Sequence, residues 1–176
     1  MLQISVEKLK SAALEQIEVH LCEAVCPRNY GFTDFSFPDD VHLDGILSRR
    51  EQILQFVGEA DVSVELICDR CGEPYLYHLK VELDEDYSLQ EEEPEEEGER
   101  LIHLFSGNAI DLTPEFLQAV FLALPMKRLC KNDCKGLCSD CGSNLNNTVC
   151  SCRDDAIDPR LEKLKDYVFD DSLKGV

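Results

Sequence analysis

The chain has no run of 18 consecutive apolar residues, so no transmembrane helix is expected. Its first residues, MLQISVEKLKSAALEQ, lack a basic start followed by an apolar block. A secretory signal is therefore not expected, and a cytoplasmic location is. Cations are scarce: 17 Lys and Arg stand against 36 Asp and Glu, for a net charge of −19. That excess excludes general binding of nucleic acid over the whole surface, because phosphate contact needs Lys and Arg to displace counterions. It also argues against an anionic membrane as partner. No GxSxG, P-loop or GxGxxG pattern occurs, and His20, His42, His78 and His103 are scattered. No carboxylate pair is singled out by spacing. Neither an enzyme nor a small-molecule substrate is expected.

What is present is enough for a packed core. Of 176 residues, 44% are hydrophobic, which suits one globular domain with a small appended module. Charge is unevenly spread. Residues 82–99 hold eleven acids and no base, whereas residues 126–176 hold nine of each. Within 127–135, Lys127, Arg128, Lys131 and Lys135 face a single acid, Asp133. This short basic segment is the candidate contact for RNA or another partner; a solvated turn is the alternative.

Periodicity gives the outline of the elements. Residues 4–14 read as a short helix or coil. Gln16–Cys22 alternates as a half-buried strand would, and so does the stretch holding Val41, Leu43 and Leu47, with a turn near Arg49 and Arg50. Ile53–Val57 is a short apolar run. Val62, Val64 and Leu66 alternate cleanly, as do Tyr75, Tyr77, Leu79, Val81 and Leu83, so residues 68–74 are expected at the tip of an antiparallel hairpin. Residues 84–100 are expected to be a solvated acidic loop, since self-repulsion and the breakers Pro94 and Gly98 oppose a helix. A strand is expected near Leu101–Leu104. Thr113 is placed as the N-cap and Pro114 as the first residue of a core helix that stops at Pro125. A second helix is expected from Asp158 and Pro159, carrying Leu161, Leu164 and Val168.

Cysteine carries the chemistry. Six of the ten cysteines fall in the 23 residues from Cys130 to Cys152, spaced C-x3-C-x3-C-x2-C-x8-C-x-C. CxxCG occurs twice, at Cys68–Gly72 and at Cys138–Gly142. Two-residue spacing lets both sulfurs of a knuckle reach one ion, and the glycine allows the tight turn that brings backbone N–H groups to the thiolates. In a reducing compartment such cysteines are metal ligands or free thiols rather than disulfides. Eight cysteines at four per site suit two structural Zn²⁺ ions. Two arrangements are open. In the first, Cys68 and Cys71 join Cys130 and Cys134, while Cys138 and Cys141 join Cys150 and Cys152. In the second, the two knuckles pair with each other as in a zinc ribbon. The first is favoured, because it clips the hairpin tip to the end of the core helix across a long loop. Cys22 and Cys26 are read as free thiols. A thiol-redox role for Cys68–Cys71 is the lesser reading, because the βαβ context of such motifs is missing.

With these residues in view, the chain resembles the YceD family, the large ribosomal RNA subunit accumulation proteins. The resemblance rests on CDRCGEPY at 68–75 with the acidic stretch after it, and on IDLTPEFLQAVFLALP at 110–125. It continues through CKNDCKGLCSDCGSNLN at 130–146 to DPRLEKLK at 158–165. It implies a role in accumulation or processing of large-subunit (23S) ribosomal RNA, in bacteria and in the plastids of plant relatives, without supplying a mechanism.

The expectation is an α+β protein in which an antiparallel β-sheet is covered by the helix near 114–124 and followed by a C-terminal cysteine-rich zinc-binding module. The division is expected at 1–125, carrying the acidic loop, and 126–176. The expected role is a non-enzymatic ribosome-biogenesis factor that meets large-subunit rRNA precursor or ribosomal proteins. A zinc-dependent protein–protein adaptor without RNA contact is the alternative.

Overall fold

The structure, a computed structural model, describes residues 1–11, 13–88, 101–152 and 160. Contacts divide the chain into two compact units, Met1–Cys134 and Lys135–Val176. The second is described over 135–152 and at Arg160. The division follows directly on Cys134.

The first unit is mostly sheet. Strands β2 (Gln16–Glu23), β3 (Val41–Arg50), β4 (Ile53–Ile67), β5 (Pro74–Ser88) and β6 (Ile102–Leu104) form one sheet in that order. A separate two-stranded ribbon pairs β1 (Gln3–Ser5) with β7 (Ala109–Asp111). Among the described residues helix is a minority: α1 (Glu7–Lys10), one 3₁₀ turn at Pro27–Tyr30, and α2 (Thr113–Ala123).

Three expectations are corrected. The five-stranded sheet is mixed, not purely antiparallel: β6 runs parallel to β5, pairing Asp86 with Ile102 and Ser88 with Leu104. The connection between Ser88 and Ile102 is long enough for the return of about a dozen residues that parallel pairing needs. The acidic segment does not begin as a loop. Residues 84–88 belong to β5, where Tyr87 and Ser88 are buried and Gln55 Nε2 donates to Asp84 Oδ1 at 2.7 Å. Residues 89–100 lie outside the described residues, as does the helix expected from Asp158. Finally, α2 begins at Thr113 itself, with Leu112 as the flanking residue. The Thr113 hydroxyl accepts the N–H of Leu2 at 2.8 Å, and Asp111 Oδ1 accepts the Thr113 N–H at 3.0 Å. The residue read as a cap thus ties the helix start to the N-terminal ribbon.

Alternation explains the sheet's two faces. Along β4, Leu54, Phe56, Ala60, Val62, Val64 and Leu66 point into the core; Val57, Glu59, Asp61 and Glu65 are exposed on the other face, and Gln55 is buried between Leu54 and Phe56. α2 lies along β5 and contributes the buried Phe116, Leu117 and Val120. Phe32, Phe35 and Phe37 extend that packing, with Phe32 at 5.7 Å from Phe121 and Phe37 at 5.8 Å from Phe116, ring centre to ring centre. The N-terminal residues Leu2, Val6 and Leu9 are fully buried.

One contact shapes the middle of the sheet. Gly45 and Gly58 are paired across β3 and β4, and both are on the core side. A β-carbon at Gly58 would lie 2.6 Å from the Asp44 carbonyl oxygen and 2.6 Å from the Phe56 ring; one at Gly45 would lie 2.8 Å from that ring. The Phe56 ring fills the space that two side chains would otherwise occupy.

Candidate metal centres and the basic segment

The hairpin of β4 and β5 carries its knuckle at the tip. Cys68 N–H donates to the Glu73 carbonyl and Gly72 N–H to the Cys68 carbonyl, each at 2.9 Å. Gly72 takes φ +70°, a left-handed conformation that L side chains rarely adopt, so the glycine is there for its backbone. The knuckle at Cys138 repeats the pattern. Cys138 N–H donates to Ser143, Gly142 N–H donates to Cys138, both at 2.9 Å, and Gly142 again has φ +70°.

The sulfurs gather in two sets of four. Cys68, Cys71, Cys130 and Cys134 form the first and Cys138, Cys141, Cys150 and Cys152 the second; within each, all sulfurs lie within 4.8 Å of one another. This is the first of the two arrangements open from spacing; the knuckles do not share a set. In the first set, Cys68–Cys134 and Cys71–Cys130 sulfurs are 3.8 and 3.7 Å apart. In the second, Cys141–Cys150 and Cys138–Cys150 are 3.6 and 3.4 Å apart. Four sulfurs at about 2.3 Å from a tetrahedral Zn²⁺ are separated by about 3.8 Å, so the donor type, number and spacing fit such an ion. Either set could hold a metal.

Electrostatics within the sets has the same sense. Without a cation, close thiols cannot ionise together. The Cys68 thiol is pulled down to about 6, chiefly by the backbone donor at Cys130, whereas burial and the neighbouring sulfurs push Cys130 up to about 12. In the second set, hydrogen bonding to Ser143 draws Cys141 down to about 6, and the sulfurs of Cys150 and Cys141 push Cys152 up to about 12. A divalent cation would lift that mutual penalty.

The two sets differ in shelter. Cys68, Cys71 and Cys134 are buried with Tyr75 and Leu129 against them, whereas Cys141 and Cys152 are exposed. Cys22 and Cys26 are exposed and belong to neither set.

The basic segment divides between roles. Lys127 and Lys131 are exposed in the first unit, and Lys135 is exposed at the start of the second. Arg128 is half-buried: its Nη2 lies 3.6 Å from Asp34 Oδ2, and its backbone N–H donates to Asp69 Oδ2 at 2.9 Å. Sequence reasoning missed Arg70, whose Nη1 donates to the Cys134 carbonyl at 2.9 Å and so ties the knuckle to the loop it faces. Its place inside the CxxC was the available signal.

The fold and these two sets define a β-sheet protein with paired four-cysteine clusters capable of holding metal. The family model described as large ribosomal RNA subunit accumulation protein YceD matches residues 56–167. The chain belongs to the YceD family. Among its relatives is an uncharacterised protein of Mycobacterium tuberculosis, 34% identical over 115 residues, covering 61% of this chain and 53% of that one. An uncharacterised protein of Mycobacterium leprae is 33% identical over 108 residues, covering 59% and 48%. A maize chloroplastic protein named as a large ribosomal RNA subunit accumulation protein YCED homolog is 26% identical over 136 residues, covering 61% and 46%. The chain thus spans about half the length of the curated relatives it matches. No solved structure matches it. Among the described residues, no helix is long and apolar enough to cross a membrane.

Proposed function

We propose that this protein is a non-enzymatic factor supporting accumulation or processing of large-subunit (23S) ribosomal RNA in the cytoplasm, with a structural Zn²⁺ in each cysteine set. The basic segment touches precursor RNA or a ribosomal protein through Lys127, Lys131 and Lys135, with Arg128 shared between that contact and Asp34. The observation that carries the reading is the position of the first sulfur set. Cys130 and Cys134 bracket Lys131, and both are gathered to the hairpin tip. Zinc there would fix the segment's backbone and lower the entropy lost when its lysines meet a partner. Four thiolates leave no open position for water, so zinc in these sets would supply structure and not Lewis-acid chemistry.

The test is charge reversal of Lys127, Arg128, Lys131 and Lys135 to Glu in the full chain, followed by binding to large-subunit precursor RNA over a salt series. The expected result is weaker binding with a shallower salt dependence. Unchanged affinity and slope would remove RNA contact by this segment and leave the protein–protein adaptor as the better reading.

A further inference from the structure

We propose that the outer face of the five-stranded sheet is a docking groove for an extended, Lys/Arg-rich peptide segment that also carries apolar side chains. The face is recessed over β2 to β5, leaving a cavity of about 730 Å³. It lies entirely within the first unit and shares no residue with the basic segment or the sulfur sets.

Register gives the groove its pattern. One cross-strand rung on the outer face reads His20, Asp44, Glu59, Glu82. The next reads Glu18, Ile46, Val57, Asp84. Ile46 and Val57 are 45% and 49% exposed and form an apolar floor closed at both ends by carboxylates. Alongside, three carboxylates stand directly opposite one another on consecutive strands, an arrangement that costs stability in the free protein. His20 Nδ1 reaches Asp44 Oδ1 at 2.6 Å, and Lys80 Nζ reaches Glu59 Oε2 at 2.7 Å. Among the described residues, no Lys or Arg pairs with Asp44 or Glu82.

Two occupants can be compared on chemistry. A metal ion needs converging ligand atoms, and among the described residues such convergence is found in the two cysteine sets, not here. The carboxylates are instead spread at strand spacing, about 4.8 Å per strand, with the apolar rung about 6.8 Å further along. An extended peptide has that same step between residues i and i+2. One with a base at i and an apolar residue at i+2 would relieve the carboxylate rung and cover Ile46 and Val57 together. Charge complementarity selects such a peptide over a nucleic acid, which the same face would repel.

The test uses the full chain and a fluorescent peptide of Arg-Ser-Val-Ser repeats, titrated by anisotropy. Neutralising the rung (Asp44→Asn, Glu59→Gln, Glu82→Gln) should weaken binding by about tenfold or more. Ile46→Thr with Val57→Thr should weaken it several-fold, and a peptide with each Val replaced by Ser should bind the parent protein correspondingly less well. Neutralising three acids elsewhere (Glu7→Gln, Asp39→Asn, Asp40→Asn) should change affinity by less than about twofold. Thermal melts of each variant establish that it is folded. An equal loss in the distant control, or indifference to both Val replacement and the Ile46/Val57 change, would reduce the effect to general charge attraction and overturn the proposal. So would a dimer in sedimentation that the Ile46/Val57 change dissolves, since the face would then belong to a second copy.

Discussion

Asp69 and Arg128 exchange two hydrogen bonds across 59 positions of sequence: the Arg128 N–H donates to Asp69 Oδ2 at 2.9 Å, and the Asp69 N–H donates to the Arg128 carbonyl at 2.8 Å. The hairpin tip and the segment after α2 are thereby held together by the polypeptide itself, next to the sulfurs that meet between them. Asp69→Ala keeps one bond and loses the other. It should cost about 1 kcal/mol in urea unfolding and weaken metal binding in the first set by about tenfold, as loss of a supporting contact around a metal site does. A metal affinity equal to the parent's would show that the clamp does not preorganise the site.

Shelter separates the two sets in time. A chelator should draw one equivalent of zinc from the exposed second set quickly and the other from the buried first set slowly, a two-phase release visible with a colorimetric zinc indicator. Cys138→Ser with Cys141→Ser should abolish the fast phase alone. About two zinc per chain is the expected total, at four cysteines per ion. Release in a single phase would contradict the difference in burial.

Glu115 gives a pH signature away from the cysteines. Burial raises its carboxyl above the ordinary range, and its Oε2 is buried without a hydrogen-bond partner, as is the Tyr87 hydroxyl. His103 stands between Glu115 and Glu85, at 3.3 and 3.0 Å. A raised carboxyl means the folded state holds a proton that the unfolded state has released. Its contribution is therefore fully present below the unfolded value, about 4.3, and is lost as pH rises through the folded value. Glu115→Gln should remove that loss, so the stability difference, variant minus parent, should grow as pH rises through that window. Urea titrations at several pH values measure it; a difference independent of pH would contradict the assignment.

The glycine pair makes a packing prediction. Gly58→Ala places a methyl 2.6 Å from both the Asp44 carbonyl oxygen and the Phe56 ring, and should cost about 1–3 kcal/mol. Phe56→Leu in the same chain should recover part of that cost, because the ring yields and the carbonyl does not. Independent, additive losses would show that ring and glycine do not compete for the same space.

The cysteine sets were legible because two-residue spacing and a following glycine are local signals with one physical meaning. The β4–β5 hairpin was legible because its alternation runs through long segments. What escaped depends on distant pairing. Gly58, between Val57 and Glu59, takes a core-facing position with no side chain, so one 15-residue strand looked like two apolar pieces. Residues 84–88 looked like solvated acid, yet Tyr87 is buried in β5 and Asp84 answers Gln55. The strand near Leu101–Leu104 was expected, but its parallel pairing with β5 was not, and the strands of the β1–β7 ribbon have three residues each, too few for periodicity to register. Arg128, counted among the contact residues, turned out to be engaged by Asp34 and Asp69, neither near it in sequence.

We propose that the segment from Lys127 to Lys135 meets large-subunit precursor RNA or a ribosomal protein, and the RNA contact is open to direct test. Ultraviolet crosslinking in living cells, with the crosslinked peptides and RNA both sequenced, tests it most directly. Large-subunit precursor RNA joined to peptides spanning that segment is expected, with the yield falling when its four cations are reversed. Crosslinks absent from this segment, or unchanged after reversal, would contradict it.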